Sequence, residues 1–358
     1  MRVVIAPDSF KGSITAAGAA DALAAGWRSV RTEDELVTLP MADGGEGTLD
    51  AIVTAVPRTT VHDVPRCTGP DGKPVTGRFA LLPDGTALVE LATASGLPLM
   101  NDRPAPLTAT TRGTGEAIAA ALDAGATGLT VALGGSASTD GGAGLLAALG
   151  LHVLDDSGSP LPDGGGALTA AARLHDRLRP APVGGVRLLT DVTNPLLGPS
   201  GAAALYGPQK GAGPEEVELL EHALSRFAEL LGGDPSRPGS GAAGGAAYGL
   251  AAAWGADVVP GAAAVADLLG LDEALAGAGL VVTGEGRFDA TSLSGKAVGE
   301  VINRAESAFV PVRVVAGDSS EEHVLKLVAL AGSPADARAR AGHWLYEAGA
   351  RLARAAQD

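Results

Sequence analysis

Met1-Arg2-Val3-Val4-Ile5-Ala6-Pro7-Asp8-Ser9-Phe10-Lys11-Gly12-Ser13-Ile14 decides the fold class. Arg2–Ala6 is an apolar run closed by Pro7, which is how a buried strand reads. Ser13 stands where a helix N-cap belongs, and a helix is expected from Ile14 to Val30. Leu36–Leu39 reads as a second strand and Gly47–Val56 as a second helix, joined by the loop Met41–Glu46. Strands alternating with helices predict a doubly wound α/β sheet.

Beyond residue 60 the rhythm changes. Thr60–Val64, Val75–Leu82 and Ala87–Leu91 are short strand-like runs separated by Pro-Asp-Gly turns at 70–72 and 83–85. Hairpin connections of this kind imply antiparallel pairing. Alternation then resumes with helices at 113–124 and 141–149 and strands at 128–133, 152–154 and 186–190. Pro214–Leu231 and Ala242–Ala253 read as helices. Near the C-terminus come strands at 280–283, 310–316 and 324–329 and helices at 295–304 and 341–356. The first and last parts share one βα style. The expected organisation is a parallel-sheet domain from residues 1–60 and 256–358, with 61–255 inserted as a mixed α/β domain.

Composition narrows the function. Aromatics are 3% of the chain while glycine numbers 52, so the core must come from Ala, Leu and Val with many close backbone approaches. The formal charge is −15 and no basic stripe occurs, which argues against nucleic-acid binding. An acidic protein still holds phosphates locally through backbone N–H groups and a few placed cations. The single cysteine, Cys67, excludes a disulfide within the chain and reads as a structural thiol. No signal-peptide or membrane-spanning pattern is visible, so the expected location is the cytoplasm, with no membrane partner.

The lysines are the most informative residues. There are five, and Lys11, Lys210 and Lys296 each lie beside glycine near a predicted helix start. Such a lysine adds a point charge to the exposed N–H groups and dipole of a helix N-terminus, which suits a phosphate. Lys73 and Lys326 read as solvated loop residues. Three glycine clusters follow strands: Asp43-Gly44-Gly45-Glu46-Gly47, Gly134-Gly135-Ser136-Ala137-Ser138-Thr139-Asp140-Gly141-Gly142, and Gly284-Glu285-Gly286-Arg287-Phe288-Asp289. Ligands of α/β sheets bind beyond the carboxyl ends of strands, where glycine lets backbone approach a phosphate and carboxylates hold magnesium. Asp191, ending the strand 186–190, is a candidate base or metal ligand, with a loop-capping Asx turn as the plainer alternative. Walker A and Gly-x-Ser-x-Gly arrangements are absent, and the six histidines lie outside the clusters.

At these positions the chain resembles the type-1 glycerate kinase family. The resemblance runs in order through Ala6–Ser13, Met41–Thr48, Thr111–Glu116, Gly134–Gly144, Asp191–Leu196, Gly207–Ala212, Gly241–Gly245, Thr283–Asp289 and Gly295-Lys296. It implies a flavodoxin-like domain plus a second α/β domain with the site in the cleft between them. It also implies dependence on ATP and Mg²⁺ and phosphorylation of D-glycerate, giving a phosphoglycerate, with the 2-phosphate expected over the 3-phosphate. There are departures. Ser136-Ala137-Ser138-Thr139-Asp140 replaces a usual Ser-Ala-Thr-Asn-Asp, Thr291 stands where glutamine is expected, Ser240 replaces threonine, and the region after Gly317 is shortened.

Roles assigned from the residues themselves are these. Asp191, Lys11 and Asp43 are the catalytic candidates. Gly44, Gly45, Gly134, Gly135, Ser136, Lys210, Gly284 and Lys296 would take the ATP phosphates. Asp140, Glu285 and Asp289 would hold magnesium. Ser9, Arg112 and Asn194 would meet the substrate, Arg112 by gripping a carboxylate bidentately. An ATP-dependent kinase of another small hydroxy acid is the alternative. A nicotinamide oxidoreductase lacks its Gly-x-Gly-x-x-Gly, and a hinged ligand-binding protein lacks the usual export signal. The working form is expected to be a monomer or homodimer.

Overall fold

The computed structural model describes residues 1–293 and 295–356. The strands, numbered along the chain, begin with β1 (Arg2–Ile5), β2 (Glu35–Thr38), β3 (Thr60–Thr68), β4 (Pro74–Leu81), β5 (Thr86–Glu90) and β6 (Gly128–Ala132). They continue with β7 (Leu151–Leu154), β8 (Arg173–Asp176), β9 (Val186–Leu189), β10 (Asp257–Val259), β11 (Leu280–Phe288), β12 (Val312–Ser319) and β13 (Leu325–Lys326). The chain divides into two compact units. Unit 1 holds Met1–Asp43, Asp50–Pro57 and the chain from Pro260 onward; unit 2 holds Gly44–Leu49 and Arg58–Val259. The short segment Gly44–Leu49, read from sequence as part of the first domain, thus goes with unit 2.

Unit 1 is built on an all-parallel sheet in the order β13-β12-β11-β1-β2. Its central strands β1, β11 and β12 bury consecutive residues on both faces, as a sheet covered by helices requires, while the edge strands β2 and β13 are only partly buried. Val3, Ile5, Val282 and Val315 pack with Leu23, Trp27 and Leu345 from the helices Ala16–Arg28 and Ala341–Ala355. Those two helices cross at glycine. A Cβ on Gly26 would lie 1.9 Å from the Tyr346 carbonyl oxygen, and one on Gly349 would lie 2.3 Å from that of Leu23.

Unit 2 carries a mixed sheet in the order β10-β9-β6-β5-β4-β3, in which β10, β9, β6 and β5 are parallel and the β3–β4–β5 hairpins antiparallel. A small antiparallel pair, β7–β8, stands apart. Val131, Leu188, Leu145, Leu224, Phe227 and Tyr248 centre its core. Cys67 is buried in β3, where burial raises its thiol. Among the described residues no helix is long and apolar enough to cross a membrane.

Four local expectations need correction. Thr15, not Ser13, caps the first helix, its Oγ1 accepting from the Gly18 amide at 3.1 Å; Ser13 is held in a tight turn, its N–H donating to the Phe10 carbonyl at 2.8 Å. The strand expected at 324–329 is only β13, followed by a helical turn Leu327–Ala331 that Gly332 ends at φ 76°. The helix expected from Ala242 is broken at Ala243 and Gly244, both left-handed, and proceeds as Ala246–Trp254. Finally, β11 runs on to Phe288, because β12 pairs with it as far as Phe288–Ser319. Glu285 is therefore a strand residue and not a loop residue.

Candidate active site

Neighbouring parallel strands deliver their C-terminal ends to one edge of a sheet, and ligands gather where the strand order reverses. In unit 1 that reversal falls between β1 and β11. Asp8 lies three residues beyond β1, Asp43 five beyond β2, and Glu285 in the last half of β11. Burial drives the Asp8 carboxyl up to about 7, and the charges of Asp43 and Glu285 add to it. The Ser9 amide, donating to Asp8 Oδ1 at 2.6 Å, opposes them. Burial also raises Glu285, an effect eased by hydrogen bonding to Ser292 and by the Lys296 ammonium. Oε1 of Glu285 is buried with no hydrogen-bond partner. Crowded carboxyl groups and an orphaned oxygen are what a divalent cation relieves, so this edge fits magnesium by its donor chemistry. Among the described residues no three His, Cys, Asp or Glu side chains form a ready-made metal cage.

Other unit 1 candidates fall into place around this edge. Lys11 is exposed, and a Cβ on Gly286 would come 3.3 Å from its backbone nitrogen, so Gly286 lets β11 pass close to the Lys11 loop. Lys296 precedes the helix Ala297–Ser307 and reaches Thr291 Oγ1 at 3.3 Å. Two assignments change. Asp289 Oδ1 accepts from the Thr291 amide at 2.9 Å and hydroxyl at 2.6 Å, which lowers its pKa and makes it a turn former. Gly284, expected at the phosphates, is required by sheet packing, since a Cβ there would lie 2.0 Å from the Val315 carbonyl oxygen.

In unit 2, β9, β6 and β5 are parallel neighbours, and their ends bring Asp191, Gly134–Ser136 and Glu90 to one edge. The segment Gly44–Leu49 lies against it. A Cβ on Gly44 would lie 2.8 Å from Leu189 Cβ, and one on Gly134 would lie 2.4 Å from Gly45 Cα. The Gly134 amide donates to the Gly44 carbonyl at 3.1 Å. Gly44, Gly45 and Gly134 thus meet backbone to backbone, and Gly135 follows at φ 77°.

Three buried charges support these loops. Glu90 accepts from the Gly47 amide at 3.1 Å and the Leu49 amide at 2.9 Å. Asp140, fully buried, accepts from the Thr111 amide and hydroxyl and from the amides of Gly142 and Gly144. Burial raises its pKa and those four bonds resist the rise. Lys210 is 3% exposed and donates to Ser136 Oγ at 2.8 Å and the Ser138 carbonyl at 2.5 Å. Desolvation brings its pKa down to about 8 against the opposing charge of Asp140.

These contacts place four of the residues that the sequence put forward as ligands. Asp140, expected to hold magnesium, is placed as a backbone anchor, with Oδ2 accepting three bonds and Oδ1 one. Lys210, expected at the ATP phosphates, turns its ammonium to the protein interior. Arg112 is held by Asp163 through two bonds of 2.6 Å, which fills the fork expected to grip a substrate carboxylate. Asn194 donates to the Ser200 carbonyl at 3.0 Å and accepts from the Tyr206 hydroxyl at 2.7 Å, so its amide shapes a loop. Asp8, Glu90 and Asp163 were not singled out from sequence. A signal existed for Glu90, a lone acid ending the apolar run Ala87-Leu88-Val89, and for Asp8, at the end of the first strand.

Comparison with known proteins assigns the class. The chain matches the glycerate kinase family over residues 3–357. It is 43% identical to a glycerate kinase of Bacillus subtilis over 90% of this chain and 86% of that protein. It is 40% identical to a glycerate 2-kinase of Escherichia coli, again over 90% of this chain and 86% of that protein. A solved structure from Salmonella typhimurium LT2 assigned as glycerate kinase 2 superposes with a TM-score of 0.86 at 36% identity, covering 100% of this chain and 98% of that one. The chain is therefore an α/β phosphotransferase. It belongs to the glycerate kinase family.

Proposed function

We propose that this protein transfers the γ-phosphate of ATP to a hydroxyl of D-glycerate in the cytoplasm, releasing ADP and 2-phosphoglycerate. The observation that carries the reading is the family match over residues 3–357. In the reaction the hydroxyl oxygen bonds to the γ-phosphorus, the bond to the β-phosphate oxygen breaks, and the hydroxyl proton passes to a carboxylate. Asp191 takes that proton. Lys11 and Lys296 carry charge toward the phosphates, and the glycine-lined backbone at Gly44, Gly45, Gly134 and Gly135, with Ser136, gives them room and N–H donors. Asp8, Asp43 and Glu285 would hold magnesium, which supplies positive charge against the phosphate oxygens and commonly binds through a few carboxylates plus phosphate. Ser9 belongs to the glycerate end of the site.

Sheet order supports this placement. Counted within unit 1 alone, the order β13-β12-β11-β1-β2 is the 2-1-3-4-5 arrangement, read from the other edge. We take unit 1 as a flavodoxin-like domain and unit 2 as its insertion, with Asp8 and Glu285 at the switch point. The test is ³¹P NMR of the products from ATP, Mg²⁺ and D-glycerate. A new phosphomonoester coupled to the C2 proton is expected; turnover of another small hydroxy acid but not glycerate would replace the substrate, and no ATP turnover with any would sink the reading. Lys11→Ala and Asp191→Ala are each expected to lower kcat at least about tenfold, the scale of one transition-state contact.

A further inference from the structure

Lys210 is the buried lysine of this chain, and nothing in the proposed chemistry needs an ammonium group that solvent does not reach. Its surroundings say what it does. The turn Gly134–Asp140 leaves β6 and is fixed along one side by backbone bonds, Leu97 N to Gly135 O at 2.9 Å and Ala137 N to Ser95 O at 3.0 Å. Among the described residues its far side has no strand partner. There the Ser138 carbonyl and the Ser136 hydroxyl both accept from Lys210 Nζ. Gly244 closes the same side so tightly that a Cβ on it would lie 2.0 Å from the Ser138 oxygen. Lys210 itself is set by the short 3₁₀ turn Pro208–Lys210, which Gly211 ends at φ 92°. A buried carbonyl stripped of its donor is costly, so the turn keeps its shape only while the lysine is in place.

We propose that Lys210 is a positioning residue, which acts on phosphoryl transfer by locking the Ser136–Ser138 turn from inside unit 2. This rests on reading Gly134, Gly135 and Ser136 as part of the phosphate cradle. The lysine touches neither ATP nor glycerate. It sets where the backbone N–H groups of that turn point, and a small misplacement of such donors is felt strongly in the transition state. Burial adds a second consequence. Because the ammonium is desolvated, replacing it with an isosteric apolar chain removes a cost as well as two bonds, so stability and activity need not fall together.

The experiment compares wild type with Lys210→Met by two independent readouts. Hydrogen–deuterium exchange of the amides at 135–142 reports the lock directly and needs no substrate. Steady-state kinetics with ATP and D-glycerate report its effect. Exchange in that turn is expected to quicken at least about tenfold, and kcat/KM for ATP to fall at least about tenfold, while KM for D-glycerate stays within about twofold. Unchanged exchange in the turn would overturn the proposal, and so would kinetic constants within about twofold of wild type. If Lys210→Met does not fold, Ser136→Ala removes one acceptor; exchange in the turn is then expected to rise a few-fold, about the loss of a single bond, and a wild-type value refutes the lock. Should wild type itself turn over no ATP, the functional reading fails, yet the exchange result still decides whether Lys210 holds the turn.

Discussion

Arg112 and Asp163 meet through two parallel hydrogen bonds, Nε to Oδ2 and Nη2 to Oδ1, each 2.6 Å long. The pair joins the start of the helix Arg112–Asp123 to the loop that follows β7, and both side chains are about three-quarters buried. The hydrogen bond to Asp163 is also what raises the Arg112 guanidinium above its ordinary pKa. A guanidinium matched along its Nε–Nη2 edge by a carboxylate has given up that fork, and its charge is already neutralised. Asp163→Asn is therefore expected to lower the unfolding free energy by about 1–3 kcal/mol in urea titrations, the range for breaking a partly buried ion pair. KM for D-glycerate should not move. A large rise in that KM would restore Arg112 as a substrate contact.

The Asp8 carboxyl gives a stability signature whose sign can be worked out. Its folded pKa, about 7, lies above the ordinary 3.8. The native state then binds the proton more tightly than the unfolded chain, so stability is complete below pH 3.8 and declines as pH rises toward 7. Asp8→Asn removes the titration. The variant should match wild type near pH 4 and gain on it by about 1 kcal/mol per pH unit through the middle of the window, levelling off above pH 7. Denaturant curves at several pH values, without nucleotide or metal, measure this. Turnover should fall in the same variant, and a pH-independent stability difference would remove Asp8 from the carboxylate cluster.

How far was this legible in sequence? β1, the hairpins from Thr60 to Glu90 and the helix Pro214–Leu231 were readable because their patterns are local: an apolar run, Pro-Asp-Gly turns, a helical period. The glycine clusters were readable as strand-end features for the same reason. What a charged side chain faces is set by elements far away in the chain. Nothing near Lys210 reveals that Ser136 and Ser138, over 70 residues earlier, will enclose it, and nothing near Arg112 points to Asp163. Gly284 and Asp43 look alike as members of acidic-glycine clusters. Only the pairing of β11 with β12 shows that one glycine answers to a neighbouring strand while the aspartate joins Asp8 and Glu285.

The crossing of helices Ala16–Arg28 and Ala341–Ala355 tests packing without touching the site. Gly26→Ala would place a methyl 1.9 Å from the Tyr346 oxygen, where both backbones must part. A loss of about 2–4 kcal/mol is expected, since neither helix can yield a single atom without shifting its whole face. Gly342→Ala on the second helix is the control. Its Cβ would find only Ile14 Cδ1, at 3.5 Å, so helix propensity should leave it neutral or stabilised by up to about 1 kcal/mol. Thermal or urea unfolding of the two variants side by side decides it, and equal behaviour would show that the helices are not in close contact.

Glu90 offers the last test, because its isosteric replacement is chemically wrong for the place. The carboxylate is 5% exposed and each oxygen accepts from an amide, Gly47 at 3.1 Å and Leu49 at 2.9 Å. Those amides begin the helix Thr48–Ala55, whose positive N-terminal end favours an anion. Glutamine keeps the shape but turns one acceptor into a donor, which would then face another N–H. Glu90→Gln should therefore cost about 1–3 kcal/mol in stability, as a buried donor loses its partner. Displacing this segment also disturbs Gly44 and Gly45 where they rest on Leu189 and Gly134. A fall of at least about fivefold in kcat/KM for ATP is expected alongside, with Glu90→Asp intermediate because it keeps two acceptors on a shorter arm. If Glu90→Gln unfolds and turns over like wild type, the carboxylate is not what fixes the Gly44–Leu49 segment.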